Sequence, residues 1–362
     1  MTITLLNFYK NMENMEKYMG IALKLAEKAR GITSPNPMVG CFIVKNNKIV
    51  GTGYHQKAGK KHAEIIALTK AGKNARGATM YVTLEPCSHF GKTPPCVDSI
   101  IKSGIKEVII AMKDPNPLVQ GIKILQKNNI KTKIGNLKQE AEELNKFWIK
   151  FISKKIPYVI LKIAISLDQK IAGQNGKPIQ ISNIDSQTYV HKLRGEVDAV
   201  LVGVNTVISD DPQLTTRFVK GKNPMKIVLD TKLRIPLNSK VFNEPGKLIV
   251  AVGKKAPKNT IGKVEKKGAK VLISKSKEGR ILLRNLLPQL GKMNITSVLV
   301  ESGQSIFDSF LNEKAADEVL IFVAPKLIKN GIDAFKNQNA VKLKDVSVVK
   351  LDDDIMIKGA LK

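Results

Sequence analysis

The stretch from His62 to Cys96 constrains this chain more than any other. A His-Ala-Glu triplet opens "HAEIIAL" at His62, and "EPCSHFGKTPPC" runs from Glu85 to Cys96. The chain has only four histidines and three cysteines, yet one His and two Cys stand close together here. Zinc takes thiolate sulfur and imidazole nitrogen in a tetrahedral shell, and a catalytic zinc leaves its fourth place to water. His62, Cys87 and Cys96 supply three donors, which leaves Glu64 to move protons to and from that water. A fold that uses them must bring all three to one point. His62 reads as the opening of a helix after a Gly/Lys loop. Cys87, following Pro86, reads as another helix start, where partial positive charge favours thiolate. Cys41 lies in an apolar strand and reads as core.

The flanking sequence alternates between the two periods of secondary structure. Met15, Met19, Ala22, Ala26 and Ala29 fall at helical spacing. "GCFIVKNNKIVGTGY" reads as two strands joined by a hairpin turn at Asn46-Asn47. "HAEIIALTKAG" reads as a helix, "TMYVTL" as a strand leading into Glu85-Pro86-Cys87, "CVDSIIKSG" as a helix and "EVIIAM" as a strand. This predicts a three-layer α/β/α domain over residues 12–150. "ELNKFWIKFISKKIPYV" reads as the junction. The pattern then restarts, with apolar runs such as "YVILKIAISL", "DAVLVG", "KLIVAV", "SVLVE" and "EVLIFVA". They predict a second α/β domain over 156–362, built on one continuous sheet.

Composition narrows the functional classes. A chain of 362 residues with 43% hydrophobic residues suits two globular domains. No apolar run has membrane-spanning length. Three cysteines argue against a disulfide scaffold and for a reducing interior, the cytoplasm; an organellar leader, or a start at Met12 or Met15, stays open. The net charge of +29 admits a nucleic-acid surface, a Lys-rich composition or an anionic substrate. The lysines are scattered, without aromatic interleaving, which favours composition over nucleic acid.

His-Ala-Glu, then Pro-Cys, then a later Cys is the pattern of zinc nucleobase deaminases. Eight residues separate Cys87 from Cys96, where most nucleoside and nucleic-acid deaminases have two. In "TSPNPMVGCFIV", "GYHQKAGKKHAE", "TLEPCSHFGKTPPC" and "AMKDPNPLV" the chain resembles the bifunctional deaminase–reductase family of riboflavin biosynthesis. The resemblance runs from about residue 16 to the end. It implies a cytidine-deaminase-like first domain, in which Zn2+ sits on His62, Cys87 and Cys96. Water would replace the 2-amino group of a phosphoribosylaminopyrimidine, with Glu64 as proton shuttle. Asn36, His55, His89, Lys92, Asp114 and Asn116 would hold the pyrimidine and its phosphoribosyl arm. For Asn36 and Asn116 a plain turn role beside proline is the alternative.

The second domain has no G-x-G-x-x-G. "YVILKIAISLDQKIA", "HKLRGEVDAVLVGVNTVISDDPQLTTR" and "VLVESGQSIFDSFL" resemble the family's reductase half, which implies a dihydrofolate-reductase-like fold using NADPH. Ala164, Gln180, Thr206, Asp210, Thr231, Gly303, Gln304 and Ser305 would meet the cofactor. Lys162, Pro178, Arg194, Leu214, Arg217 and Glu301 would meet substrate, the two arginines suiting a ribose phosphate. Asp211 reads as a cap. The family also implies a homo-oligomer formed through the reductase domain. The chain departs from the pattern in four places. Gln169 stands where the family has Gly, and Pro178, Gln180 and Asn183 stand where it has Ser, Trp and Gly. Phe90 replaces a second His, and the loop after "DPNPLV" is short. These changes keep open a deaminase with a degenerate reductase domain; the net charge keeps open a cationic nucleic-acid-binding or RNA-editing deaminase, and His89, as a candidate fourth ligand, a structural zinc protein.

Overall fold

Asn46 and Asn47 both adopt positive φ, 50° and 58°, the backbone of a two-residue hairpin turn. They join β1 (Gly40–Lys45) to β2 (Lys48–Tyr54). With β3 (Thr79–Leu84), β4 (Glu107–Met112) and β5 (Lys131–Ile134) these form a five-stranded sheet of order β2-β1-β3-β4-β5. β1 pairs antiparallel with both neighbours, while β3, β4 and β5 are parallel. The computed structural model describes residues 14–90, 94–244, 246–301, 303–335 and 340–361. The chain divides into two compact units between Lys154 and Lys155.

In the first unit the helix Asn14–Glu27 buries Met19, Ala22 and Ala26 against the sheet. Small side chains allow that close approach: a Cβ on Gly40 would lie 1.9 Å from the Ala22 carbonyl oxygen. Cys41 is fully buried in β1. The last helix, Lys146–Lys154, buries Trp148 in the same core. A domain end at residue 150 would cut that helix in two.

The second unit is built on a nine-stranded sheet. β6 (Tyr158–Ser166), β7 (Ala199–Gly203), β8 (Met225–Leu229), β9 (Leu248–Gly253), β10 (Lys270–Ser274), β11 (Ser297–Glu301) and β12 (Glu318–Ala324) are the runs legible in the sequence. β13 (Lys344–Leu351) and β14 (Asp354–Ala360) are not. The order is β10-β9-β8-β7-β11-β6-β12-β14-β13. The first seven are parallel, and the last two form an antiparallel hairpin. β13 escapes a pattern reading because it is an exposed edge strand, with Val346 and Val348 facing solvent. Parallel strands present their carboxyl ends on one side, where open α/β sheets form ligand crevices.

Candidate active sites

The first unit gathers its predicted donors. His62 is the N-cap of the helix Ala63–Ala71. The ligand atoms of His62, Cys87 and Cys96 lie within 4.8 Å of one another. His62 Nδ1 is 3.1 Å from Cys96 Sγ and 3.4 Å from Cys87 Sγ. One expectation needs correction. Cys87 is not at a helix start: the described residues 85–90 carry no helix, and the helix Cys96–Ser103 begins at Cys96. Successive prolines, Pro94 and Pro95, delay it. The helix terminus still serves Cys87, because the Cys96 N–H donates to Cys87 Sγ at 3.3 Å. The thiol of Cys96 and the His62 ring hold Cys87 down to about 4, despite burial. Cys96 is pushed up in exchange, first by Cys87 and then by burial. One imidazole nitrogen and two soft sulfurs, converging in a half-buried site, fit tetrahedral zinc.

Glu64 lies in the first turn of the same helix, buried beside this cluster. Burial, then the charge of Cys87, raises its pKa. A carboxyl poised to hold a proton is what a shuttle needs. A cavity of about 300 Å³ opens over these groups and is also lined by Asn36, His55, His89, Asp114 and Asn116. Lys92 lies outside the described residues. His55 Nδ1 faces the Lys61 carbonyl at 3.2 Å, and its Nε2 meets Asn36 Nδ2 at 3.1 Å. Burial lowers its pKa, so the ring stays neutral. His89 lines the cavity but does not join the metal-capable cluster, so among the described residues the donor set has three members and an open fourth place. Asn116 does the work of a turn as well: its Oδ1 accepts the Leu118 N–H at 3.2 Å, while its own N–H donates to Asp114 Oδ1 at 2.7 Å. Burial pushes Asp114 up to about 6.

Glu85 is a residue the sequence reading passed over. Its buried carboxylate accepts the N–H groups of Asp114 at 3.3 Å and Ile122 at 3.0 Å. It thereby staples the loop carrying Asp114 and Asn116 beside Pro86-Cys87. Gly121 completes the joint, since a Cβ there would lie 2.0 Å from the Pro86 carbonyl oxygen. The only signal was an acid inside a motif, with no spacing rule attached to it.

In the second unit a cleft of about 1230 Å³ is lined by every residue named for it. Lys162, Ala164, Pro178, Gln180, Arg194, Thr206 and Asp210 stand on it, as do Leu214, Arg217, Thr231, Glu301, Gly303, Gln304 and Ser305. Register places Lys162 on β6 beside Glu301 on β11. Arg194 grips Glu301 with two bonds, Nε–Oε1 at 2.6 Å and Nη2–Oε2 at 3.0 Å, and Nη1 donates to the Thr215 carbonyl at 3.0 Å. Its fork is thus committed to a carboxylate. Arg217 makes no ion pair among the described residues, and its guanidinium lies 5.0 Å from the Phe218 ring centroid. Burial lowers the pKa of Lys162, against the pull of Glu301. Gly303 is the N-cap of the helix Gln304–Asn312 at the end of β11, a terminus that favours an anion. Among the described residues, Asp230 Oδ1 and Gln304 Nε2 are buried without a hydrogen-bond partner, and both residues line the cleft. A cleft of this volume with unmet polar atoms suits a dinucleotide. Asp230 was not foreseen. Asp211 adopts a left-handed cap conformation, and its Oδ1 accepts the Lys240 N–H at 2.8 Å.

A His/Cys/Cys cluster with an adjacent carboxyl, followed by a cofactor-sized cleft at the end of a parallel sheet, defines a zinc deaminase joined to a reductase. Residues 12–112 match the cytidine and deoxycytidylate deaminase zinc-binding region, and residues 157–357 match the RibD C-terminal domain. The riboflavin biosynthesis protein RibD of Aquifex aeolicus is 44% identical over 94% of this chain and 97% of its own length. That of Escherichia coli is 36% identical over 95% and 99%. The solved structure of Acinetobacter baumannii RibD superposes with a TM-score of 0.86 at 34% identity, covering 96% of this chain and 99% of that one. The diaminohydroxyphosphoribosylaminopyrimidine deaminase/5-amino-6-(5-phosphoribosylamino)uracil reductase of Thermotoga maritima does so at 0.85 and 36%, with the same coverage. The chain belongs to the RibD family of bifunctional riboflavin-biosynthesis enzymes. It is a deaminase and a reductase acting on a phosphoribosylaminopyrimidine, with zinc and NADPH as cofactors. Neither the nucleic-acid alternative nor the degenerate-reductase alternative finds support in these relatives. Among the described residues no helix is long and apolar enough to cross a membrane.

Proposed function

We propose that the first domain converts 2,5-diamino-6-(5-phosphoribosylamino)pyrimidin-4(3H)-one to the uracil by hydrolysis, and that the second reduces the ribosyl group to ribityl. The observation that carries this reading is the convergence of His62, Cys87 and Cys96 within 4.8 Å, with Glu64 on the same cavity. Zinc when bound acidifies the attacking water, and NADPH when bound supplies the hydride. Glu64 takes the proton of the water as it adds to the ring carbon bearing the 2-amino group, and returns it to the departing nitrogen, which leaves as ammonia. Asn36 pairs with a polar ring edge, and His55 holds the Asn36 amide in place. In the second domain Arg217 meets the ribose phosphate, while Arg194 keeps Glu301 ionised and in place. Lys162, with its lowered pKa, gives up its proton more readily than an ordinary lysine and suits the ribosyl oxygen. Thr206, Thr231 and the Gly303–Ser305 helix start hold the cofactor.

The reading also takes the protein to act in the cytoplasm, as a homo-oligomer joined through the reductase domain. The hairpin β13–β14 supports the second point, because Val346, Val348 and Ile355 leave exposed apolar side chains on it, the kind of patch that often marks an interface. Purified, zinc-loaded enzyme should release ammonia and oxidise NADPH in turn when given the diaminopyrimidinone. Glu64→Gln should keep its zinc and lose ammonia release by about 10²-fold or more. Ammonia released by Glu64→Gln at the wild-type rate would remove Glu64 from the mechanism.

A further inference from the structure

The deaminase signature ends at residue 112, but the cavity does not. Trp148 and Ile152 also line it. They stand four residues apart on the helix Lys146–Lys154, hence on one face. Asn145, directly before that helix, is 2% exposed. Its side-chain amide pairs with the backbone of Met38: Oδ1 accepts the Met38 N–H at 2.8 Å, and Nδ2 donates to the Met38 carbonyl at 2.9 Å. Met38 is two residues past Asn36, so this clamp sets the helix in register with the loop that carries Asn36.

A pyrimidine has polar edges and apolar faces. The edges find Asn36, Glu64 and Asp114 in this cavity. Two of the histidine rings are committed elsewhere: His62 to the two sulfurs, and His55 to Asn36 and Lys61, edge-on to His62 at 5.3 Å. Of the lining rings left, His89 and Trp148, the indole of Trp148 offers the larger apolar face. We infer that Trp148 supplies the face against which the pyrimidine packs, and that Asn145 is the positioning residue that holds Trp148 there. The inference rests on the deaminase reading and extends its site into the segment that joins the two domains. Stacking against an aromatic face is how enzymes acting on bases grip a ring whose edges are engaged.

Trp148 is the chain's single tryptophan, so its emission reports on this cavity alone. Full-length, zinc-loaded Glu64→Gln enzyme, titrated with the diaminopyrimidinone, should show a saturable change in that emission, with a midpoint near the wild-type KM for ammonia release. Trp148→Leu, which keeps apolar bulk but not the flat face, should raise that KM roughly tenfold with zinc retained and kcat changed far less. Trp148→Phe should restore KM to within about threefold. Asn145→Ala should raise KM in the same way. Unchanged emission at saturating substrate, or a wild-type KM in Trp148→Leu, would overturn the inference. If Trp148→Leu fails to fold, the titration still decides. Wild-type enzyme that releases no ammonia would instead defeat the deaminase reading, a separate outcome.

Discussion

The deaminase cavity encloses about 300 Å³ and the reductase cleft about 1230 Å³, and they are assembled differently. The first draws its metal donors from one short window, His62 to Cys96, using a helix start, a strand end and a second helix start. The second draws on residues from Lys162 to Ile332, each segment giving a few contacts. A metal shell tolerates only a few tenths of an ångström in its bond lengths, so every donor is indispensable. A dinucleotide is held by area and by several backbone groups, so the loss of one contact is shared by the rest. That difference fits a chain that offers a full candidate donor set in the first unit while Pro178 and Gln180 line the second cleft without the expected Ser and Trp.

The comparison can be broken at several points. The largest effect should come from Cys87→Ser, which removes one of three donors. Metal analysis should find no zinc and ammonia release should vanish, while NADPH oxidation on the deaminated substrate persists. Equal loss of both activities would mean that the two sites do not work separately. Next, Arg217→Ala should raise the reductase KM about 10- to 100-fold, the worth of charge-assisted bonds to phosphate, and steady-state kinetics on the deaminated substrate would show it. Arg194→Ala should act differently, lowering kcat and stability together, because it strands the Glu301 carboxylate. Gln180→Trp should tighten NADPH binding only about 2- to 10-fold; unchanged affinity by titration would mean that this position does not cover the cofactor. The smallest effect concerns pH. Burial and the nearby Arg194 hold His191 down to about 4, below about 6.5 for an unfolded chain. Between these values only the unfolded state takes the proton, so stability should fall as pH drops through 6.5 and stop falling from this source below about 4. Thermal melts should show a shallower fall in His191→Gln than in wild type.

Some of this was legible and some was not, for reasons that lie in particular residues. Gln169 was visible only as a departure from a glycine. It sits at φ 61°, a left-handed conformation that costs a non-glycine residue about 1 kcal/mol or more and that glycine would adopt without that cost. Asn183, another departure, has become a helix cap: its side chain accepts the Ser186 N–H at 2.9 Å, and its Nδ2 donates to the Leu351 carbonyl at 2.7 Å. Cys87 was placed at a helix start because Pro-Cys suggests one, but the prolines at 94 and 95 moved the start to Cys96. Trp148 and Asn145 lay in what read as a junction, since a helix of nine residues between domains carries no sign of what it faces.

Local chemistry in the sequence pointed to the candidate zinc donors, Glu64, the hairpin at Asn46-Asn47 and the seven parallel strands of the second unit, because each depends on neighbours in the chain or on a short periodicity. Tertiary structure decided which distant groups meet. Asn145 reaches Met38 across 107 residues of chain, and Arg194 is paired with Glu301 across the same separation. No spacing rule connects such residues. Their meeting is set by sheet order and helix packing, which depend on the whole core and not on any one segment.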